Sequence, residues 1–361
     1  MRAFEPVLPV EAITPEWMTT ILSRAGRLRD AVVVDVHHEP CGTGQLADSY
    51  RLRLSYDIPG GGPATLVGKF ASKDASSRAF GQQSGYYRSE IGFYRELASA
   101  LGMSIPVWVY AALADNETDF VLLMEDLAPA RRVDQLDGCS AEESALVLEQ
   151  AAVLHARSWR SADLAAREWL KGPVTAFTQV TDQFADVLRR FSELSADLVS
   201  APDLREAARL VEYARPWKRV FSDLQCLWHS DLRADNVLFE VGGGARPVAV
   251  LDWQGVGFGR GSIDVAYWLG TSMRTEERRV HERELVRRYH EALQRNGVDY
   301  DFERCWRDYR VHALHGLQVG VFGFGAVKRT PRGDQMWKCW IERTAAQVRD
   351  LESYEALRDC G

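Results

Sequence analysis

The chain has 361 residues, 46% of them hydrophobic and 26% charged, with a formal net charge of −7. That length favours two folding units over a single core, and the composition is that of an ordinary globular protein in water. A mildly acidic balance without a concentrated basic face argues against a nucleic-acid partner.

The first predicted element is a short amphipathic helix from Thr14-Pro15-Glu16-Trp17 to about Arg24, with an N-cap followed by proline at the first helical position. From about Ala31 to Asp126 the pattern is mostly that of strands. Val32–Val36 is β-branched, and Tyr50–Leu54 alternates with period two. A Gly/Pro turn at 58–63 leads into a strand over Ala64–Phe70, and two more strands cover Val107–Ala111 and Phe120–Met124. One helix, from about Ser84 to Leu101, interrupts them. After Leu127-Ala128-Pro129, helical periodicity dominates over 141–159, 175–198 and 203–221. Two short β-like pieces, Val237–Phe239 and Val248–Leu251, flank Gly242-Gly243-Gly244, and helices resume near Ser262. The expected class is α+β: residues 1–126 form a small antiparallel sheet with one helix, and residues 127–361 a mostly helical part.

The six cysteines are widely spaced and form no C-x-x-C pair, which predicts free thiols and a cytoplasmic setting. The N-terminus lacks a signal peptide's apolar core. The charge-free stretch 311–327 contains His312, His315 and Gln318 and is short for a membrane span, so it predicts a buried helix and no membrane anchor.

The chemistry concentrates in Trp228-His229-Ser230-Asp231-Leu232-Arg233-Ala234-Asp235-Asn236, followed by Val250-Leu251-Asp252-Trp253. This is H-x-D-x-x-x-x-N, then an apolar stretch, then an Asp. Phosphoryl transfer from a nucleotide needs a carboxylate to accept the proton of the attacking hydroxyl, and an Asn and a second Asp to hold Mg²⁺ against the phosphates. Asp231 is accordingly the candidate base, and Asn236 and Asp252 are the candidate metal ligands. His229 is expected to hold the loop backbone, and Asp264, near a helix start, to brace it.

Only six of the 44 Lys and Arg residues are lysines, so each is informative. Period two places Lys69 on one face with Thr65 and Val67. Glu90 lies on a helical apolar stripe with Phe93, Tyr94 and Leu97. A buried cation and a buried carboxylate each need a partner, so a Lys69–Glu90 pair that points the ammonium at phosphate oxygens is expected, with Lys73 as the competitor. Gly42 and Gly44, just before a strand, could let backbone N–H groups approach phosphates, although an ordinary hairpin turn fits as well. In the connector, backbone groups at Glu125 and Leu127 could meet a nucleobase edge, with Met124 behind the ring. His155 reads as a core histidine.

Taken together, Lys69, Glu90, the Leu122–Leu127 connector, Leu154-His155-Ala156, His229 to Asn236, and Leu251-Asp252-Trp253-Gln254 with Gly259–Asp264 resemble the aminoglycoside phosphotransferase and choline kinase group, especially its ecdysteroid-kinase-like branch. The resemblance spans about residues 40 to 270. It implies a bilobal protein-kinase-like fold, ATP or GTP as donor, and Mg²⁺. It also implies Asp231 as base, Asn236 and Asp252 as metal ligands, and Lys69 as a phosphate contact. The residue after the histidine is usually Gly in that group; here it is Ser230.

Only eleven residues separate Asp252 from Asp264, too few for a protein kinase's activation segment, and no A-P-E follows. A small hydroxylated acceptor is therefore favoured. No tight acidic cluster follows Asp264 to meet an aminoglycoside's amines. The aromatic residues of the second part favour a less polar alcohol, sterol-like or terpenoid, with Trp268, Phe322, Phe324 and Trp337 as candidate pocket walls. A nucleotide-binding pseudokinase and a protein kinase stay open as alternatives, as does the choice between monomer and dimer.

Overall fold

The computed structural model describes residues 6–42, 46–172, 175, 183–220, 224–326 and 330–359. The chain divides into two compact units. The first comprises Met1–Pro129 together with Asp252–Gly255; the second comprises Ala130–Leu251 and Val256–Gly361.

The first unit opens with α1 (Pro15–Arg24), capped by the Thr14 side chain on the Trp17 N–H. Its strands are β1 (Val33–Pro40), β2 (Ala47–Tyr56), β3 (Thr65–Ala71), β4 (Trp108–Leu113) and β5 (Phe120–Glu125). They form one antiparallel sheet in the order β1-β2-β3-β5-β4. Leu52, Leu54, Leu66, Phe70, Val121 and Leu123 from the sheet bury with Met18, Ile21 and Leu22 of α1. The alternation of β3 therefore sends Leu66 and Phe70 to this core and Lys69 to the opposite face.

The single helix expected over 84–101 is divided into α3 (Tyr86–Glu96) and a short α4 (Ala98–Leu101), and an unexpected helix, α2 (Ala75–Gln83), precedes them. The Asp74 carboxylate caps α2 by accepting the Ser77 N–H at 2.8 Å. The polar stretch around Gly81 hid this helix. A Cβ at Gly81 would lie 2.4 Å from the Tyr87 ring, so glycine is required where α2 meets α3.

In the second unit α5 (Ala141–Arg157) starts at a reciprocal Ser140/Glu143 capping box. Helices α6 (Ala162–Ala166), α7 (Phe184–Ser195) and α8 (Ala201–Val220) follow. Strand β6 (Cys226–Trp228) pairs with β9 (Gly257–Gly259), and β7 (Val237–Glu240) with β8 (Arg246–Val250). Every residue of α9 (Gly261–Ser272) is buried, which makes it the central helix of this unit. A Cβ at Gly261 would fall 2.6 Å from His155 Nδ1, so α9 can begin there only with glycine. Around it pack α5, α11 (Phe302–Ala326) and α12 (Pro331–Asp350), with α10 (Thr275–Arg295) against α5 and a closing α13 (Ser353–Arg358).

The stretch 311–326 is indeed part of a helix with a largely buried face, and among the described residues no helix is long and apolar enough to cross a membrane. The described cysteines, Cys41, Cys139, Cys226, Cys305 and Cys339, are all free thiols.

Candidate active site

In the first unit, Lys69 Nζ lies 2.6 and 2.7 Å from the two carboxylate oxygens of Glu90. It also lies 2.9 Å from Asp252 Oδ1. Glu90 is 1% exposed. Burial works against the charge of Lys69, but Asp252 and Glu90 outweigh it and hold its pKa above the ordinary lysine value. The competitor, Lys73, is exposed and pairs with Glu11. Glu90 also accepts a hydrogen bond from the backbone of Trp253, whose ring stacks on Phe93 of α3. Asp252 itself has φ 62°. A non-glycine residue in the left-handed region costs roughly 1–2 kcal/mol, a cost that recurs at functional sites.

The connector residues are held within the same unit. Met124 and Leu127 are buried. The Glu125 N–H donates to the Val107 carbonyl at 2.9 Å, and its carboxylate accepts the Val107 N–H at 3.0 Å. That pairing commits the Glu125 N–H, so it cannot at the same time serve a nucleobase. Asp126 forms an ion pair with Arg51 of β2 at 2.6 Å. Gly42 takes φ 80°, a conformation suited to glycine; Gly44 lies outside the described residues.

In the second unit the loop 229–236 joins β6 to β7. The Asp264 side chain, fully buried in the first turn of α9, accepts the backbone N–H groups of His229 at 2.6 Å and Ser230 at 2.9 Å. His155 reaches the same carboxylate through Nε2 at 3.2 Å and Tyr289 Oη through Nδ1 at 2.8 Å, so it is a satisfied core histidine. His229 Nε2 meets the Leu251 carbonyl at 2.8 Å, and the Leu251 N–H donates to Asn236 O at 2.8 Å. The expected bracing by Asp264 and His229 is thus observed as hydrogen bonds.

The loop presents Asp231 with its carboxylate engaged on both oxygens. Tyr267 Oη donates to Oδ1 at 2.9 Å, and Asn236 Nδ2 donates to Oδ2 at 2.8 Å. Arg233 Nε approaches Oδ1 at 3.2 Å. Asp231 and Asn236 are therefore brought together, five residues apart in sequence.

Arg233 and Tyr267 were not anticipated as partners of Asp231. Tyr267 stands three residues after Asp264 on the same helix, so helical spacing carried that signal. Of the proposed pocket walls, Trp268 and Phe324 are core residues, while Phe322 and Trp337 are half-buried.

The donor chemistry suits Mg²⁺. Among the described residues no group of three or more His, Cys, Asp or Glu could hold a metal ion. A Mg²⁺ ion shared with phosphates needs only one or two protein oxygens. The Asn236 amide nitrogen is occupied with Asp231, so its carboxamide oxygen is the atom that could meet a cation.

A family model described as the ecdysteroid kinase-like family matches residues 47–299. No curated protein matches the chain. Among solved structures, the chain is similar to a microcompartment-associated aminopropanol kinase (TM-score 0.54, 15% identity, covering 90% of this chain and 94% of that one). It is also similar to the GDP complex of aminoglycoside 2'-phosphotransferase-IIIa (TM-score 0.50, 14% identity, covering 94% and 98%). At these identities the likeness establishes the fold: a sheet-bearing first unit and a largely helical second unit of the kinase-like type.

Proposed function

This chain belongs to the ecdysteroid kinase-like family, and from that premise we propose that it transfers the γ-phosphate of ATP or GTP to a hydroxyl of a small molecule. The observation that carries this reading is the Asp231 carboxylate. It is oriented by Tyr267 and Asn236 on a loop whose backbone is clamped by a buried carboxylate. A base aimed in this way accepts the acceptor's proton as the phosphorus arrives.

In this reading Lys69, held charged and directed by Glu90, binds phosphate oxygens. Asp252 and Asn236 are the residues that hold Mg²⁺, which when bound would neutralise phosphate charge. Gly42 lines the phosphates, and the connector at Met124, Glu125 and Leu127 receives the nucleobase, with the Glu125 N–H excluded from that contact. The acceptor is a small hydroxylated compound, a reading supported by the likeness to an aminopropanol kinase and an aminoglycoside phosphotransferase. The aromatic residues around α11 and α12 favour a less polar alcohol. A cytoplasmic location accords with this chemistry.

The experiment is a screen of alcohols with labelled nucleotide and Mg²⁺, followed by mass spectrometry of the products. A phosphorylated alcohol is expected, with loss of turnover in Asp231→Asn, in Asp252→Ala and on chelation of the metal. An Asp231→Asn protein as active as wild type would defeat the proposal.

A further inference from the structure

The catalytic loop holds a cation whose position goes beyond orienting the base. Arg233 stands two residues after Asp231 and two before Asp235, and its guanidinium contacts both carboxylates. Its carbon lies 5.7 Å from the ring centroid of Trp340. That ring is itself 3% exposed and fixed by Nε1 donating to the Gly316 carbonyl at 3.0 Å. The guanidinium is thus held from two sides, yet the side chain remains 20% exposed. A planar five-donor fork on an aromatic face is suited to oxyanion recognition.

The geometry points to Arg233 as a catalytic residue that contacts the oxygens of the phosphoryl group in transfer. In that step the acceptor oxygen bonds to the γ-phosphorus of the nucleoside triphosphate. The bond from that phosphorus to the β,γ-bridging oxygen breaks, its electron pair leaving with the nucleoside diphosphate, and the hydroxyl proton passes to Asp231. An acceptor oxygen hydrogen-bonded to Asp231 places the phosphorus about 3–3.5 Å beyond it. The phosphoryl oxygens then fall within reach of a guanidinium already 3.2 Å from that carboxylate. They also bring negative charge beside Asp231, and a cation between the two removes the repulsion. Asp235 keeps the guanidinium anchored when its contact with Asp231 is shared.

This inference rests on the phosphotransferase reading. The test does not require the natural alcohol: ADP or GDP with Mg²⁺ and aluminium fluoride mimics the transferring group, and its affinity is compared with that of the diphosphate alone. Arg233→Ala is expected to weaken the fluoride complex by about 10²-fold while leaving diphosphate binding within about 3-fold. With an alcohol from the screen, kcat should fall by about 10²–10³-fold, the nucleotide KM should change little, and added ethylguanidinium should restore part of the rate. Arg233→Lys, which keeps the charge, should retain more activity than Ala and serves if the alanine variant does not fold. Equal weakening of both complexes, or a kcat within about 3-fold of wild type, would overturn the assignment. The two readings fail differently: a wild type inert toward every alcohol defeats the phosphotransferase reading. An active wild type with an unaffected Arg233→Ala variant defeats only this inference.

Discussion

Trp253 stacks on Phe93 with ring centroids 4.0 Å apart and planes 5° from parallel. The residue that follows Asp252 is thereby fastened to the helix that carries Glu90. Both rings are fully buried, and such a stack contributes about 0.5–1.5 kcal/mol beyond area burial. Phe93→Leu keeps an apolar side chain and removes the stack. It should lower stability by about 1–2 kcal/mol in urea unfolding and, by loosening Asp252, reduce Mg²⁺-dependent turnover by about tenfold. Unchanged turnover in a measurably destabilised variant would show that the stack does not position Asp252.

The Lys69–Glu90 pair should show strong coupling. Lys69→Met strands a buried carboxylate and should cost about 3–5 kcal/mol. Lys69→Met/Glu90→Leu removes both charges and should recover more than half of that loss while remaining inactive. A double-mutant cycle by urea denaturation measures this, and additive losses would contradict it.

Ser230 has φ 71°, in the left-handed region where a side chain is strained. The family's usual glycine at this place has a physical reason: the backbone must turn here so that the Ser230 N–H reaches Asp264. Ser230→Gly should relieve strain and raise stability by about 0.5–1 kcal/mol, seen as a higher Tm at unchanged loop geometry. A lower Tm would mean that the serine side chain makes a contact worth more than the strain.

Stability should fall in acid through the buried histidines. Burial pushes His315 down to about 4, with Asp264 and the Ser230 backbone working against the shift, and burial also lowers His312. In the unfolded chain a histidine protonates near 6.5. The folded state then binds fewer protons between those values. The His315 contribution is whole above about pH 6.5 and is lost as pH falls toward 4, at up to about 1.4 kcal/mol per pH unit. Unfolding free energies measured between pH 4 and 7 should show this slope, and His315→Gln should flatten it. An identical slope in the variant would assign the acid sensitivity elsewhere.

Much of this molecule was legible before any coordinates. Local rules carry the Thr14 cap, the alternation of β3 that turns Lys69 away from the core, and the H-x-D-x-x-x-x-N spacing that gathers Asp231 and Asn236, because each is decided by neighbours a few residues apart. The Lys69–Glu90 pair was legible for a different reason: two buried opposite charges have few ways to be satisfied. The helix Ala75–Gln83 was hidden because its glycine answers to the Tyr87 ring, a contact that local propensity does not encode. The grip of Arg233 and Tyr267 on Asp231, the stack that ties Trp253 to α3, and the membership of Asp252–Gly255 in the first unit were decided by tertiary packing alone. Hydrogen bonds and ring contacts between segments distant in sequence depend on distances that only the folded chain sets.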